Sequence, residues 1–134
     1  MIKKFAILCV DDERIILDSL RIQIEKQFKH EYIYEYAESA EEAFEVIDEL
    51  LGMQIDLLLV ISDYQMPGMK GDAFAEALKE KLPNLNIVLL TGQMPEEISM
   101  DLINRHIILK VVHKPWKERE LIEIIEKLSV DAGK

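Results

Sequence analysis

The fold is decided by one stretch of the chain, residues 55–72, which reads IDLLLVISDYQMPGMKGD. Its aliphatic run at residues 57–61 is too short for a helix and too uniformly apolar for a strand with one face in water. It therefore predicts a parallel strand that is covered on both faces. The run leads to Asp63, and the loop after it carries Pro67, Gly68 and Gly71. Open α/β sheets place their chemistry beyond the carboxyl ends of such strands, which makes Asp63 the first candidate for a functional residue. The alternative is that Asp63 only caps the loop.

Outward from this stretch, strand patterns alternate with helix patterns. Further strands are predicted at residues 5–10, 32–37, 87–90 and 107–112. Helices, with apolar residues three and four positions apart, are predicted at residues 16–28, 39–51, 73–82, 95–103 and 117–128. Ser39 with Glu42 three residues later is a capping-box pattern, and it marks the start of the second helix.

This alternation predicts an α/β fold with a doubly wound, flavodoxin-like sheet of five parallel strands and helices on both faces. The first, third and fourth strands are apolar throughout, whereas the second and fifth contain Glu35 and Lys110. We therefore expect the apolar strands at the centre and the strand order 2-1-3-4-5. In this order the direction of winding reverses between strands 1 and 3, where such sheets bind ligands.

Length and composition restrict the classes of protein to which the chain can belong. The chain has 134 residues, of which 49% are hydrophobic and 31% charged, and this suits one globular domain. We expect a single domain over residues 1–134, with an ordered core at about 4–128 and a tail or the start of a linker at 129–134. The net charge of −10 disfavours direct binding to nucleic acid or to an anionic membrane. Because no apolar run approaches the ~20 residues that cross a bilayer and no signal-peptide pattern opens the chain, we expect a cytoplasmic protein.

Acidic, hydroxyl and basic residues follow four of the predicted strands. Strand 1 leads into Asp11 and Asp12, strand 3 into Asp63, strand 4 into Thr91 and strand 5 into Lys114. Three carboxylates at one site repel each other unless cations offset their charge, and Lys114 supplies one positive charge. The remaining deficit of about two charges predicts Mg²⁺, which prefers oxygen ligands and shares them with phosphate. Such a site suits a phosphoryl group on Asp63. The alternative for the first two acids is structural, since Asp11 or Asp12 could cap the first helix.

These residues resemble the receiver domain of two-component response regulators. The resemblance covers nearly the whole chain, and it is carried in order by Val10-Asp11-Asp12-Glu13, residues 62–71, Leu90-Thr91-Gly92 and His113-Lys114-Pro115-Trp116. It implies that Asp63 is phosphorylated by a histidine kinase or a phosphotransfer protein. Thr91 and Lys114 would contact the phosphoryl oxygens. The resemblance implies a signalling domain, not an enzyme, that catalyses only its own phosphorylation and slow dephosphorylation.

The resemblance also implies how Mg²⁺ is held. Asp12, Asp63 and the backbone carbonyl of Gln65 would bind the ion directly, and Asp11 would assist through water. This ligand set agrees with the preference of Mg²⁺ for oxygen donors and for retained waters.

One position departs from the family pattern. Receivers usually carry an aromatic switch residue three positions before the lysine, and this chain has Val111 there. The resemblance implies that the signal leaves through the fourth helix, the fifth strand and the fifth helix, by homodimerisation or by binding an output domain or partner protein. We expect Val111 to weaken the coupling between Thr91 and this surface.

Two other interpretations compete with a working receiver. A Mg²⁺-dependent phosphatase of the haloacid-dehalogenase type also uses an aspartyl phosphate, a threonine and a lysine. Its nucleophile lies in an Asp-x-Asp signature on the first strand, whereas this chain has Asp11-Asp12-Glu13 and no room for a cap domain. The second alternative is a degenerate receiver that acts only as a binding or dimerisation module, and Val111 is the feature that favours it.

Overall fold

The computed structural model describes residues 5–132, and within them five strands alternate with five α-helices. In chain order these are β1 (Phe5–Val10), α1 (Arg14–Phe28), β2 (Ile33–Ala37), α2 (Ala40–Gly52), β3 (Asp56–Asp63), α3 (Gly71–Lys81), β4 (Ile87–Thr91), α4 (Glu96–Asn104), β5 (Lys110–His113) and α5 (Glu118–Asp131). A short 3₁₀ turn at Lys29–Glu31 joins α1 to β2. No helix among the described residues is long and apolar enough to cross a membrane.

All strand pairs are parallel and the sheet order is β2-β1-β3-β4-β5, which confirms the predicted topology. The register pairs Val10 of β1 with Ser62 of β3, and Asp63 of β3 with Leu90 of β4. The carboxyl ends of the three central strands therefore lie side by side, where the winding of the sheet reverses.

Each face of the sheet is covered by its own hydrophobic core. Alternate residues of β1 point to opposite faces. Ile7 and Cys9 pack with apolar residues of α1 and α5, and Leu8 and Val10 pack with those of α2 and α3. Coverage of both faces is the reason that the central strands carry uninterrupted apolar runs, at residues 5–10, 57–61 and 87–90.

The local signal for α2 is confirmed by its hydrogen bonds. Ser39 is the N-cap residue, and its hydroxyl accepts the backbone N–H of Glu42 at 3.1 Å. The Glu42 carboxylate accepts the N–H of Glu38 at 3.3 Å, one residue before the position that an ideal capping box uses.

Two predicted boundaries were wrong. Ile107 and Ile108 precede β5 instead of forming its start, because both backbone N–H groups turn back to the carbonyl of Leu102 at the end of α4. Helix α5 extends to Asp131, beyond the last apolar residue of its buried stripe, Leu128. Residues 129–131 of the predicted tail are therefore helical, whereas residues 133–134 and the chain start at residues 1–4 lie outside the described residues.

The turn after β3 depends on Gly71, the first residue of α3. Its backbone N–H donates to the carbonyl of Tyr64 at 2.7 Å. A Cβ atom at this position would lie 2.5 Å from the Cα of Tyr64 and 2.9 Å from the carbonyl oxygen of Asp63. Glycine therefore allows α3 to begin directly against the end of β3. Gly68, in the same loop, has a φ of 87°, a left-handed conformation that favours glycine.

We predict that Gly71→Ala destabilises the protein by about 1–3 kcal/mol, because the added methyl group meets backbone atoms that cannot give way cheaply. Gly52→Ala is the matched control, since a Cβ at Gly52 meets nothing within 4 Å. Urea denaturation of both variants measures the difference. Equal unfolding free energies for the two variants would contradict the close contact at Gly71.

Candidate functional site

The structure gathers the predicted site residues at the carboxyl edge of the sheet. Asp11 follows β1, Asp63 ends β3, Thr91 ends β4 and Lys114 follows β5. Carboxylate oxygens of Asp11, Asp12 and Asp63 all lie within 4.8 Å of one another. Three acidic side chains from two neighbouring strand ends thus form one cluster.

Lys114 is the cation of this cluster. Its Nζ lies 3.3 Å from Oδ2 of Asp11 and 3.2 Å from Oδ1 of Asp63. Its backbone N–H donates to the carbonyl of Thr91 at 2.8 Å, which extends the pairing of β5 with β4 by one residue. The ammonium group therefore bridges two strands that are not neighbours of its own.

The two aspartates in contact with Lys114 also accept hydrogen bonds from the backbone. Oδ1 of Asp11 accepts the N–H of Glu13 at 2.8 Å, and Oδ1 of Asp63 accepts the N–H of Gln65 at 3.3 Å. Asp63 therefore does cap its loop, but it also faces Lys114. Helix α1 starts after Glu13 with no side-chain cap, so Asp11 closes the turn before the helix and does not cap the helix itself.

The two neighbouring acids after β1 differ in their solvent exposure. Asp11 is fully buried, whereas Asp12 is exposed. Both oxygens of Asp11 are already engaged, one by Lys114 and one by the Glu13 N–H. Asp12 is thus the acid whose carboxylate is open to an incoming ligand.

The electrostatics of the cluster show a shortage of positive charge. Burial, together with the neighbouring charge of Asp63, raises the pKa of Asp11 from its ordinary 3.8 to about 6. Burial also raises the pKa of Asp63, although Lys114 opposes the shift. Burial lowers the pKa of Lys114, but the two carboxylates outweigh it and the net shift is upward. By charge count, one ammonium group faces three carboxylates and does not neutralise them.

Thr91 and Gln65 border the cluster from the adjacent loops. The Thr91 hydroxyl donates to the carbonyl of Gln93 at 2.7 Å and accepts the N–H of Gln93 at 3.0 Å. Thr91 is buried, whereas the side chains of Gln65 and Gln93 are exposed. Val111, at the predicted switch position, is half-buried against the core on the α2 and α3 side of the sheet.

Gln23 lies beside the site, although no sequence motif identified it. Trp116 packs against the core on the α1 and α5 side, and its indole N–H also donates to Oε1 of Gln23 at 2.8 Å. Gln23 lies in the middle of α1 and belongs to no motif, so no local signal identifies it. His30, His106 and His113 are exposed.

Several solved structures of similar shape are receiver domains. A CheY-like response regulator receiver domain protein from Methanospirillum hungatei JF-1 is 28% identical, with a TM-score of 0.81 over 98% of this chain and 98% of that chain. The receiver domain of NtrX from Brucella abortus is 27% identical, with a TM-score of 0.77 over 91% of this chain and 96% of that chain.

The family model of the response regulator receiver domain matches residues 7–126, and the chain belongs to that family. It is therefore a signalling domain of two-component systems.

Curated relatives are longer proteins. The hydrogenase transcriptional regulatory protein HoxA of Cupriavidus necator is 26% identical over 93% of this chain and 24% of that protein. The transcriptional regulatory protein YesN of Bacillus subtilis is 28% identical over 92% of this chain and 32% of that protein. The chain thus spans about a quarter to a third of the length of these relatives.

We predict that Asp11→Asn stabilises the metal-free protein at pH 7 by about 1–3 kcal/mol, because a pKa raised by roughly two units corresponds to at most about 3 kcal/mol. Between pH 3.8 and about 6 the folded state binds more protons at Asp11 than the unfolded state does. The unfolding free energy of the wild type therefore falls as the pH rises through this window. The gain in the variant should shrink towards zero as the pH falls to 4.

Urea denaturation in EDTA from pH 4 to pH 8 tests this expectation. Asp18→Asn, at a half-exposed acid on α1, is the control and should show no comparable pH-dependent gain. A gain in Asp11→Asn that is the same at pH 4 and pH 7 would show that the buried charge of Asp11 is not its cause.

Proposed function

We propose that Asp63 accepts a phosphoryl group from a histidine kinase or a phosphotransfer protein. The observation that supports this most strongly is the contact between the buried Asp63 carboxylate and the Lys114 ammonium, at 3.2 Å, inside a cluster of three acids. A carboxylate oxygen of Asp63 would form the new bond to phosphorus as the bond from phosphorus to the histidine nitrogen of the donor breaks. Catalysis of this transfer consists mainly of positioning and charge neutralisation.

Lys114 and Thr91 would act on the transferred group. Lys114 already lies beside the acceptor carboxylate, so its positive charge would offset the charge that arrives with the phosphoryl oxygens. The Thr91 hydroxyl is held by the backbone of Gln93, and it would have to leave this partner to donate to a phosphoryl oxygen. Phosphorylation would thereby release the loop between β4 and α4.

The donor set at this edge suits Mg²⁺. Only oxygen atoms are offered by the carboxylates of Asp11, Asp12 and Asp63, and their uncompensated charge favours a divalent ion. Asp12, Asp63 and the backbone carbonyl of Gln65 would hold the ion, and Asp11 would assist through water. When bound, the ion neutralises charge on the carboxylates and on the phosphoryl oxygens.

The signal would leave through the surface of α4, β5 and α5. Helix α4 is lightly anchored, since its buried residue is Leu102. Its C-terminal end is tied to α3 by Arg105, whose Nη2 lies 2.9 Å from Oε2 of Glu76. The N-terminal end follows the loop that Thr91 holds, so release of Gln93 would act on this end of α4.

The partners of this surface would be a second copy of the chain, an output domain or a separate target protein. The curated relatives are transcriptional regulators, which supports an output in gene control. The net charge of −10 argues that this domain does not itself bind nucleic acid or an anionic membrane. We infer further that residues 1–134 form one receiver domain that works in the cytoplasm, where histidine kinases present their phosphohistidine.

A degenerate receiver that acts only as a binding module is the second candidate, because Val111 lacks the aromatic group of the usual switch. This candidate predicts no phosphorylation. The next experiment therefore separates the two functions.

We predict that incubation with acetyl phosphate and Mg²⁺ adds one phosphoryl group to the wild type and none to Asp63→Asn. The acid Asp48, paired with Lys81 on the surface between α2 and α3, provides the control Asp48→Asn, which should be modified like the wild type. EDTA should abolish the reaction. Intact-mass spectrometry measures each result, and a mass shift that survives in Asp63→Asn would exclude Asp63 as the sole acceptor.

We predict that the phosphorylated protein switches incompletely and that Val111→Tyr makes the switch more complete. A shift from 1:99 to 99:1 needs about 5.5 kcal/mol of differential binding, so a weak link between Thr91 and the surface leaves a mixed population. Amide chemical shifts of residues 98–112, with and without a beryllofluoride phosphate mimic, report the populations. Val130→Tyr, at an exposed valine of α5, is the control.

Complete displacement of these resonances in the wild type, unchanged by Val111→Tyr, would show that the missing aromatic group has no effect on switching.

A further inference from the structure

The position of Lys114 depends on the loop that carries it. This loop, residues 114–117, joins β5 to α5. Its first residue is fixed by the hydrogen bond from the Lys114 N–H to the carbonyl of Thr91. Pro115 follows and has no N–H to donate. The next contact that holds the loop, after Lys114, is made by the side chain of Trp116.

Trp116 ties the loop to α1. Its indole N–H donates to Oε1 of Gln23 at 2.8 Å, while the ring packs against the core between α1 and α5. The amide group of Gln23 also reaches back one helical turn, where its Nε2 lies 3.4 Å from Oγ of Ser19. This second contact orients the amide so that its oxygen faces the indole. The loop that carries Lys114 is thereby held by the helix that follows the acidic pair after β1.

A cavity beside the loop leaves Lys114 room to withdraw. Its volume is about 400 Å³, and it is bordered by Ile16, Ser19, Gln23, Lys114, Pro115 and Trp116. Lys114 lines this cavity, and a lysine stem is flexible. The place of the ammonium group therefore depends in part on where the loop is held.

We propose that Gln23 is a positioning residue for phosphoryl transfer. By accepting the hydrogen bond from Trp116, it keeps the loop close to α1 and the Lys114 ammonium between Asp11 and Asp63. The inference rests on the proposed function, in which Lys114 acts on the phosphoryl group. Misplacement of a reacting group by about 1 Å costs up to about 10²-fold in rate, so a partial displacement of Lys114 should cost roughly tenfold.

Four variants isolate this hydrogen bond. Gln23→Leu removes the acceptor, and Trp116→Phe removes the donor but keeps an aromatic ring. Gln23→Glu keeps an acceptor oxygen and should rescue the contact. Gln27→Leu, one turn further along α1 at an exposed position, is the matched control.

The rate of phosphorylation by acetyl phosphate at saturating Mg²⁺ is the first measurement, with urea denaturation to establish that each variant is folded. We expect Gln23→Leu and Trp116→Phe to react about tenfold more slowly than the wild type, and the double variant to lose no more than either single one. Gln23→Glu and Gln27→Leu should react at the wild-type rate.

The ¹⁵Nζ resonance of Lys114 is the second measurement, because a merely structural role of Gln23 would not move it. We expect the resonance to shift in Gln23→Leu and to stay in place in Gln27→Leu. Suppose that Gln23→Leu and Trp116→Phe react at the wild-type rate with an unmoved resonance, while Lys114→Met reacts slowly. This result would overturn the role of Gln23 and leave the role of Lys114 standing. A wild-type rate in Lys114→Met would overturn it together with the role of the lysine, whereas phosphorylation of Asp63→Asn would overturn the proposed function itself.

Discussion

The structure depends on how one half-buried ammonium group meets two buried carboxylates. Lys114 reaches Asp11 and Asp63 across the reversal point of the sheet, at 3.3 Å and 3.2 Å. With Asp12 nearby, three carboxylates face one ammonium group, and burial, together with the neighbouring carboxylates, raises the pKa values of Asp11 and Asp63. The three carboxylates form a cluster of the kind that could hold a metal ion. The fold must therefore hold together an edge that its own charges push apart.

Backbone hydrogen bonds that continue the strand pairing into the loops hold this edge of the sheet together. The N–H of Asp11 donates to Ala37 of β2, and the N–H of Lys114 donates to Thr91 of β4. The N–H of Tyr64 donates to Leu90 of β4 in the same way. Each functional residue is thus at, or next to, a residue whose backbone is bound to the neighbouring strand. Such backbone bonds place side chains more accurately than a free loop does, and placement is the larger part of the proposed catalysis.

Much of this arrangement was open to prediction, and the exceptions have physical causes. The run at residues 57–61 predicted a doubly covered central strand because no other element buries five successive aliphatic side chains so simply. The start of β5 was misplaced because Ile107 and Ile108 are apolar in either role, and only their hydrogen bonds to Leu102 assign them to the loop between α4 and β5. The end of α5 was misplaced because an apolar stripe marks the buried part of a helix, whereas its hydrogen bonds continue into water.

The sequence by itself determined the fold class, the strand order and the chemical types at the strand ends. Hydrophobic patterns and residue identities are local, and parallel strands bring their carboxyl ends to one edge. Only the tertiary structure decided that Asp11 is buried and Asp12 exposed, that the Thr91 hydroxyl is held by Gln93, and that Trp116 binds Gln23. Trp116 and Gln23 lie on different elements far apart in the chain, so no local pattern predicts their contact. It exists because the packing of α1 against α5 brings the two side chains together.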